Sequence, residues 1–547
     1  MRLPLWAVSV AAAAMVLTGC TSARPAEGPS AGTALPLVEA TAASGVEFQL
    51  HRARGTQTNI LDTIGHGVAI IDYNRDDLPD LVFTGLDQVV AYRNLGGFRF
   101  QRVDLGLRQP GCWAGAAIAD VNNDGWPDLY LAGYGCAALY LNQHGTFRDV
   151  TRAAGLVPAR GKYPEWGTSA GFADLDGDSW ADLVVCYYLD FGPQSQQRCS
   201  THLPHVTCVC PPKVYPPQRP RVYRNLRGTR FQDVTDAWAL RGHGAALGVA
   251  FQDADGDGRT DVAVANDERP GDLFLNRGGK FTEIGATSGT AYDRQGLMHG
   301  GMGMDWADVD GDRKPDLVVT TFASEDKNLY RNLTGQQFDD VGWRWGITGP
   351  TRGDVSFGVR FLDFDNDGRV DLLVASGHVE ENAHESRPEE SYAEPVRLFH
   401  HTGNTFEPVG EAPWGSLVGR AVATADLDND GGIDAIVTNL EGRPLLLRNV
   451  ADRGHWLGVR LEGRQSNRMA LGARVEVHAG GNVQVFEAHT AGSYMAANDP
   501  RLLIGLGAAT SVEQLIVRWP GGGQSRLTFP AVDRWVTIYE EASSSEG

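Results

Sequence analysis

The pattern from which we predict the fold is Asp253-Ala254-Asp255-Gly256-Asp257-Gly258-Arg259-Thr260-Asp261. Its acids occupy positions 1, 3, 5 and 9, and they converge only if the backbone curls tightly around a point. Hard oxygen ligands gathered in this way suit Ca²⁺, which accepts a flexible shell of about six to eight oxygens. Gly258 at position 6 permits a backbone conformation that strains other residues. Apolar runs at 249–251 and 262–264 flank the loop, so we predict that it joins two strands of a hairpin.

The same aspartate ladder occurs seven times, and we name the copies the first to seventh ladder loops. The predicted Ca²⁺ ligands at positions 1, 3, 5 and 9 are Asp72, Asn74, Asp76 and Asp80; Asp120, Asn122, Asp124 and Asp128; Asp174, Asp176, Asp178 and Asp182; Asp253, Asp255, Asp257 and Asp261; Asp308, Asp310, Asp312 and Asp316; Asp363, Asp365, Asp367 and Asp371; and Asp426, Asp428, Asp430 and Asp434. Crowded carboxylates repel one another without a cation, and positions 1, 3, 5 and 9 of these loops hold 26 of the 68 acidic residues. We therefore predict up to seven structural Ca²⁺ ions rather than solvated acidic turns. Position 6 is Asp77, Ser179 and Arg313 in the first, third and fifth loops. In these loops we expect more backbone strain and weaker Ca²⁺ binding.

The spacing of the ladders predicts a propeller. Their starts lie 48 to 79 residues apart, which is the range of propeller blades and long solenoid repeats. Most repeats continue with an aromatic strand that ends in Asn, such as Tyr92-Arg93-Asn94, and some add a strand led by Phe, which makes four strands per repeat. The seventh repeat lacks its last strand, but residues 37–46 match the spacing of 147–156. We predict an all-β fold with a seven-bladed β-propeller at 35–450, closed by its own N-terminal strand.

These units resemble the FG-GAP repeat, also called the VCBS repeat, which is known from integrin α-subunit propellers and many bacterial surface proteins. The resemblance covers all seven units. It implies that Ca²⁺ lies on the face that carries the turns between the first and second strands. The opposite face then holds the loops between the second and third strands and the starts of the inner strands.

The ladders stop near residue 452, and short alternating strands predict a small β-sandwich-like domain at 452–542. The fragments Ser466-Asn467-Arg468, Leu471-Gly472-Ala473-Arg474-Val475 and Val517-Arg518-Trp519-Pro520-Gly521 resemble the ASPIC/UnbV domain. A propeller followed by this domain is the layout of the cartilage acidic protein family, and the resemblance implies extracellular interaction without a general enzyme activity. Residues 543–547 are predicted to be a disordered tail.

The N-terminus predicts a bacterial lipoprotein of the cell envelope. A cation and a short apolar run precede Leu17-Thr18-Gly19-Cys20, which looks like a lipobox with Cys20 as the acylated residue. Residues 1–20 are then the signal peptide, and the Ser-, Ala-, Pro- and Gly-rich residues 21–34 are a flexible tether. Contact with a membrane is expected only through this lipid.

Six cysteines remain after Cys20, an even number in an oxidising compartment. The candidate disulfide partners are Cys112, Cys136, Cys186, Cys199, Cys208 and Cys210. Cys112 and Cys136 lie in one repeat, and the other four lie in or beside an insertion that lengthens the third repeat. His202 and His205 also lie there, so a zinc or copper site is an alternative to disulfides.

The face opposite the ladder loops is the candidate ligand face. Its candidate residues are His66, His243, His299, His378, Glu380 and His384. Together with Trp113 and Trp166 they are expected near a central channel, and the segment after Ser376 is long enough to be a functional loop. The alternative is that these histidines only satisfy strand ends and that the acidic segment is solvated.

Two functions compete. The first is a non-enzymatic, Ca²⁺-stabilised envelope module that recognises protein or carbohydrate. The second is an envelope polysaccharide lyase or hydrolase with its site on the ligand face, since histidines and carboxylates for general acid–base chemistry are present. A quinoprotein-like propeller is disfavoured because the repeats differ. The net charge of −20 without a basic run argues against nucleic acid.

Overall fold

The computed structural model describes residues 35–50, 59–107, 110–159, 161–203, 205–228 and 230–541. The predicted signal peptide, lipobox, Cys20 and tether at 1–34, and the tail at 543–547, lie outside the described residues. The described chain is dominated by strands, so the prediction of an all-β, propeller-like fold is confirmed.

Seven sheets in the described chain repeat one up-and-down strand order, and we number them 1 to 7. Sheets 1 to 4 consist of Val68–Ile71, Asp80–Gly85, Gln88–Asn94 and Phe100–Val103; Cys112–Ala119, Asp128–Tyr134, Ala137–Asn142 and Phe147–Asp149; Gly167–Ala173, Asp182–Tyr187, Arg221–Asn225 and Phe231–Asp233; and Ala246–Gln252, Asp261–Asn266, Asp272–Asn276 and Phe281–Glu283. Sheets 5 to 7 consist of Met304–Ala307, Asp316–Val319, Asn328–Asn332 and Phe338–Asp340; Ser356–Leu362, Asp371–Ser376, Arg397–His401 and Phe406–Pro408; and Gly419–Ala425, Asp434–Asn439, Leu445–Asn449 and Leu37–Glu39.

The sheets form a closed ring. The first strand of each sheet contacts the first strand of the next, and the first strand of sheet 7 contacts that of sheet 1. Leu37–Glu39 supplies the fourth strand of sheet 7, because it pairs antiparallel with the third strand in the register Leu37↔Asn449 and Glu39↔Leu447. The N-terminal strand therefore joins the two ends of the ring and covers an edge.

The first strands crowd near the axis of the ring, which explains their small residues. A Cβ added to Gly115 would lie 2.2 Å from the carbonyl oxygen of Thr168 in the neighbouring sheet. A Cβ added to Gly303 would lie 2.1 Å from the carbonyl oxygen of Phe357. Glycine at these positions lets adjacent backbones approach each other more closely than any other residue allows.

The remaining elements of the ring are short. The α-helices are Thr41–Ser44, Leu61–Ile64, Thr151–Ala154, Gly285–Ser288, Thr348–Thr351 and Ala383–Ser386, and the 3₁₀ turns are Pro193–Ser195 and Pro212–Val214. Two short two-stranded antiparallel sheets pair Cys199–Ser200 with Thr207–Cys208 and Glu394–Pro395 with Ser416–Leu417. No helix in the described ranges is long and apolar enough to span a bilayer.

The tail domain is built from two sheets. Their strands, in spatial order, are Leu502–Gly507, His455–Glu462 and Arg534–Tyr539 in one sheet, and Asn482–Glu487, Arg474–Ala479, Val512–Arg518 and Gln524–Phe529 in the other. A single cluster of buried side chains from both sheets, including Val459, Val477 and Leu515, forms the core. This is the sandwich-like packing expected of two amphipathic sheets.

The tail domain docks on the ladder-loop face and sends one segment into the ring. We name residues 488–498 the axial segment. It contains the strand Ala496–Ala497, which pairs in parallel with the first strand of sheet 1. Ser493 forms a bridge to Met304 of sheet 5, and its hydroxyl accepts hydrogen bonds from the backbone N–H groups of Val359 and Val422 in sheets 6 and 7. Because these strands line the axis from different sides, the axial segment fills the channel.

Candidate metal centres and ligand face

The ladder loops bring carboxylates together. In the third to sixth loops, one ligand atom from each of positions 1, 3 and 9 lies within 4.8 Å of the others. These groups are Asp174, Asp176 and Asp182; Asp253, Asp255 and Asp261; Asp308, Asp310 and Asp316; and Asp363, Asp365 and Asp371. The position 5 side chain accepts a hydrogen bond from the backbone N–H of position 7, as Asp257 does from Arg259 at 3.1 Å.

Several carboxylate oxygens in these loops are buried and receive no hydrogen bond within the described structure. Oδ1 of Asp253, Asp255 and Asp308 are examples. Burial raises the pKa of Asp253 and of Asp308 to about 6, since desolvation penalises the anion. Buried anionic oxygens without donors are unfavourable unless a cation satisfies them. The residues therefore fit a hard divalent ion such as Ca²⁺.

Position 6 adopts a left-handed backbone in every loop. The φ angles are 84° for Gly258 and 92° for Gly125, but 70° for Asp77, 69° for Ser179 and 70° for Arg313. The left-handed region costs a residue with a Cβ about 1–2 kcal/mol. The first, third and fifth loops therefore carry backbone strain at the positions where the sequence lacks glycine.

Position 9 has a second role that sequence reasoning missed. In all seven loops its two carboxylate oxygens accept backbone hydrogen bonds of 2.7–3.2 Å, one from position 2 and one from the last residue of the third strand. Asp261, for example, accepts from Ala254 at 3.0 Å and from Asn276 at 2.7 Å. This aspartate therefore ties three strands of its sheet together as well as facing the metal position.

The asparagine that ends the third strand links each sheet to its neighbour. In six sheets its Nδ2 donates at 2.7–2.9 Å to the position 2 carbonyl oxygen of the preceding ladder loop. These asparagines are Asn94, Asn142, Asn225, Asn276, Asn332 and Asn449. Sheet 6 has His401 there, and its ring stacks against both Trp345 and Phe406. The recurrent asparagine was visible in the sequence, but its inter-sheet partner was not.

The candidate residues of the ligand face do not form one site. His66 Nδ1 lies 2.5 Å from the carbonyl oxygen of Trp113, and His243 Nδ1 lies 2.5 Å from Asp272 Oδ1, whose carboxylate raises the pKa of His243. His299 Nε2 contacts the hydroxyl of Tyr330 at 3.1 Å. The axial segment occupies the axis, so these histidines do not meet around one shared space, and a binding role for any of them stays a prediction.

The segment after Ser376 packs inward. His378 is buried, its Nδ1 accepts from the backbone N–H of Glu380 at 2.9 Å, and its Nε2 lies 3.4 Å from Glu390. The Glu380 carboxylate accepts from the backbone N–H of Val209 at 2.6 Å, which ties this segment to the insertion of sheet 3. His384 lies in the short helix Ala383–Ser386 and is exposed. Burial lowers the pKa of His378 to about 4, so its imidazole is neutral at neutral pH.

The cysteine predictions are confirmed in part. Cys199 and Cys210 form a disulfide in the insertion, which removes two of the thiols that a zinc or copper site needs. Cys112, Cys136, Cys186 and Cys208 are thiols. Cys112 and Cys136, which the sequence placed in one repeat as candidates, are not bonded to each other; Cys136 Sγ donates to the carbonyl oxygen of Cys112 at 3.5 Å. Cys186 is buried in the second strand of sheet 3, where its side chain is a core residue.

The face opposite the ladder loops carries a solvent-accessible groove of about 450 Å³ at sheet 3. Tyr163, Glu165, Gln218 and Arg221 line it. Tyr163 and Glu165 precede the first strand of the sheet, Gln218 precedes the third strand and Arg221 begins it, so all four lie at the end opposite the ladder loops. Glu165 Oε1 lies 2.5 Å from an Arg221 Nη2, and its Oε2 accepts from the backbone N–H of Ala159 at 2.7 Å. The groove thus combines the Tyr163 ring, the Glu165–Arg221 ion pair and the side-chain amide of Gln218.

Comparisons with known proteins match both halves of the chain. Residues 463–545 match the family described as ASPIC and UnbV, and residues 72–131, 120–185, 253–319 and 308–374 match the FG-GAP-like repeat. Cartilage acidic protein 1 of Xenopus tropicalis is 25% identical over 297 residues, which are 51% of this chain and 42% of that protein. The human protein is 25% identical over 298 residues, or 51% and 41%. The chain spans less than half the length of these curated relatives. Both resemblances predicted from the sequence are confirmed.

Solved structures are more distant. An Agrocybe aegerita lectin described as recognising non-reducing terminal N-acetylglucosamine has a TM-score of 0.41 and 17% identity, covering 70% of this chain and 94% of the lectin. A rhamnogalacturonan lyase of Bacillus licheniformis has a TM-score of 0.31 and 14% identity, covering 83% and 82%. Likeness at this level carries no argument about activity.

Proposed function

We propose that this chain, which carries FG-GAP-like repeats and an ASPIC and UnbV domain and is homologous to cartilage acidic protein 1, is a Ca²⁺-stabilised recognition module of the cell envelope. It binds protein or carbohydrate through the face opposite the ladder loops. The groove at sheet 3 carries this proposal, because it is open to solvent on that face whereas the tail domain covers much of the other.

The groove has the chemistry of a carbohydrate site. Tyr163 lines the groove, with Lys162 Nζ 4.9 Å from its ring centroid, and would give a sugar an aromatic contact, while Glu165, Arg221 and Gln218 offer acceptors and donors for hydroxyl groups. Both oxygens of Glu165 are already engaged, one by Arg221 and one by the Ala159 backbone. These two contacts hold the carboxylate in one position while each oxygen keeps a lone pair for a ligand hydroxyl, which suits a fixed hydrogen-bond acceptor. The arrangement therefore supports recognition over the alternative of a polysaccharide lyase or hydrolase.

Calcium in this proposal is structural. Positions 1, 3 and 9 of each ladder loop would hold the ion, with position 5 beside them, and the ion would supply positive charge to buried carboxylates. Each ion would then brace the hairpin between the first and second strands of its sheet. The tail domain would depend on the same ions, since Arg460 Nη1 contacts Asp77 Oδ1 at 2.6 Å and Trp535 Nε1 donates to Asp426 Oδ2 at 3.2 Å.

The test is a glycan array and an envelope-protein pull-down with the full chain, in Ca²⁺ and in chelator. We expect a Tyr163→Ala variant to lose at least about tenfold in affinity, the equivalent of about 1.4 kcal/mol. Tyr539→Ala, which removes a half-exposed tyrosine from the tail domain, is the matched control and should bind normally. Binding that survives both chelation and Tyr163→Ala contradicts the proposal, and turnover of a bound polysaccharide favours the enzyme.

The tether is proposed from the sequence of residues 17–20 alone. Cells expressing the protein should place it in the membrane fraction and label it with a radioactive fatty acid. A Cys20→Ser variant should lose the label. Labelling that persists in this variant contradicts a lipid at Cys20.

A further inference from the structure

The insertion of sheet 3 places a thiol directly opposite a disulfide-bonded cysteine. Its short antiparallel pair sets Cys199 opposite Cys208 and Ser200 opposite Thr207. Cys199 is nevertheless bonded to Cys210, two residues further along the chain, and Cys208 is a thiol. Side chains that lie directly opposite each other in an antiparallel pair project from the same face. The Cys208 thiol therefore lies on the side of the hairpin from which Cys199 reaches its partner.

Cys199 lies within bonding distance of two partners. Its Cα atom is 5.2 Å from that of Cys210. Directly opposite residues of an antiparallel pair have Cα atoms about 4.5–5.5 Å apart, which applies to Cys199 and Cys208. Disulfides span Cα separations of about 4.4–6.8 Å. The backbone of the insertion thus suits a bond from Cys199 to either cysteine.

The two alternative partners of Cys199 differ in their surroundings. Cys210 is 4% exposed and belongs to an apolar cluster that includes Phe191 and Tyr215. Cys208 is only partly buried and lies outside that cluster. The remaining thiol is therefore accessible when Cys199 is bonded to Cys210. It would be shielded by the apolar cluster if Cys199 were bonded to Cys208.

We propose that Cys199 exchanges its disulfide partner between Cys210 and Cys208, and that this exchange decides whether the insertion presents an accessible thiol. Cys208 gives its proton to solvent, and its thiolate forms a bond to Sγ of Cys199. The Cys199–Cys210 bond breaks, and Cys210 leaves as a thiolate that takes up a proton. One S–S bond replaces another, so the step needs neither an oxidant nor a reductant.

Differential alkylation of the full chain tests the exchange. The protein is incubated in saturating Ca²⁺ at about pH 8 and then unfolded at about pH 5 in excess light N-ethylmaleimide, because thiols attack disulfides only as thiolates. After reduction, the remaining cysteines take the heavy reagent. Trypsin leaves residues 199–213 on one peptide, since it cleaves after Arg198 and Lys213. Fragmentation on either side of Val209 then assigns the light label to Cys208 or to Cys210.

We expect most of the light label on Cys208 and at least about a tenth of it on Cys210. A population ratio of about ten corresponds to a free-energy difference of about 1.4 kcal/mol between the two bonds. Such a small difference is expected because the same backbone suits both bonds. Light label confined to Cys208 overturns the proposal.

Two single variants provide a second measurement. In Cys210→Ser, Cys199 should pair with Cys208, so the light label on residues 199–213 should fall from one per molecule to none. Cys208→Ser is the matched control, because it should keep the Cys199–Cys210 disulfide and also carry no light label there. Light label on both Cys199 and Cys208 in Cys210→Ser would show that Cys208 does not reach Cys199, and it also overturns the proposal.

Discussion

Asn94 of sheet 1 donates from Nδ2 to the carbonyl oxygen of Leu427 in the seventh ladder loop at 2.7 Å, across 333 residues of sequence. The same side chain donates to the carbonyl oxygen of Pro79 at 2.9 Å and accepts from the backbone N–H of Gly96. Together with the strand Leu37–Glu39, this contact joins the last sheet to the first on the ladder-loop side. The ring is therefore closed by side-chain as well as backbone hydrogen bonds.

Asn94→Ala should destabilise the protein by about 2–4 kcal/mol, because it leaves three buried or half-buried backbone groups without their partner. The free energy of unfolding in urea measures this. Asn482→Ala, at an exposed position of the tail hairpin, is the matched control and should change stability by less than about 0.5 kcal/mol. Equal effects of the two substitutions would contradict a closing role for Asn94.

Two substitutions at position 6, Ser179→Gly and Gly258→Ser, should change the stability of the protein in opposite directions. Ser179→Gly relieves a residue with φ of 69° and should stabilise the Ca²⁺-loaded protein by about 1 kcal/mol, with Ca²⁺ affinity at the third loop rising about fivefold. Gly258→Ser should have the reverse effect, since nothing lies within 4 Å of an added Cβ and only the backbone is strained. Calcium titration by calorimetry tests both. Unchanged affinity in both variants would mean that position 6 does not limit binding.

Tyr494→Ala should loosen the axial segment. The Tyr494 ring is fully buried against Phe357, and its hydroxyl donates to the carbonyl oxygen of Ile64 at 2.9 Å. Loss of a large buried aromatic side chain costs about 3–5 kcal/mol. The melting temperature should fall, and limited proteolysis should cut within residues 488–498. Tyr539→Ala removes a tyrosine that is 49% exposed and should leave both readouts near those of the natural protein.

Cys199→Ser should destabilise the insertion of sheet 3. Cys199 and Cys210 are 11 residues apart, and a loop of that length predicts a loss of about 3 kcal/mol. Cys208→Ser changes the neighbouring thiol and serves as the control. Hydrogen exchange should rise in the insertion for the first variant only. A similar rise in both variants would show that the thiols, rather than the disulfide, hold the insertion.

Acid should weaken the fold partly through His299. Burial lowers the pKa of His299 to about 4, below the usual value of 6.5, so the unfolded chain binds the proton more readily. The contribution of neutral His299 to the free energy of unfolding is complete above pH 6.5. It is lost as the pH falls towards 4, by at most about 1.4 kcal/mol per pH unit. The unfolding free energy of His299→Gln in saturating Ca²⁺ should therefore fall less steeply than that of the natural protein. Parallel curves would exclude His299 as a source of acid sensitivity.

Prediction from sequence worked best where the information is local. The ladder spacing and the flanking strands identify the loop, and Gly at position 6 marks the left-handed residue. The Asn at the end of the third strand recurs visibly, but it contacts a neighbouring sheet, so its role needed the tertiary structure. The histidines on the opposite face were grouped because they share a position in the repeat. In the structure His66, His243 and His299 each contact a different partner.

Sequence alone was sufficient to identify the repeated hairpin, the acidic character of its loops and the two-part layout, because each depends on residues within about ten positions of one another. The three-dimensional structure was needed to show that residues 488–498 fill the axis and that the tail domain docks on the ladder-loop face. Those relationships join residues up to several hundred positions apart. They arise when the sandwich buries its segment among the first strands of the ring, and no local pattern records which surfaces meet.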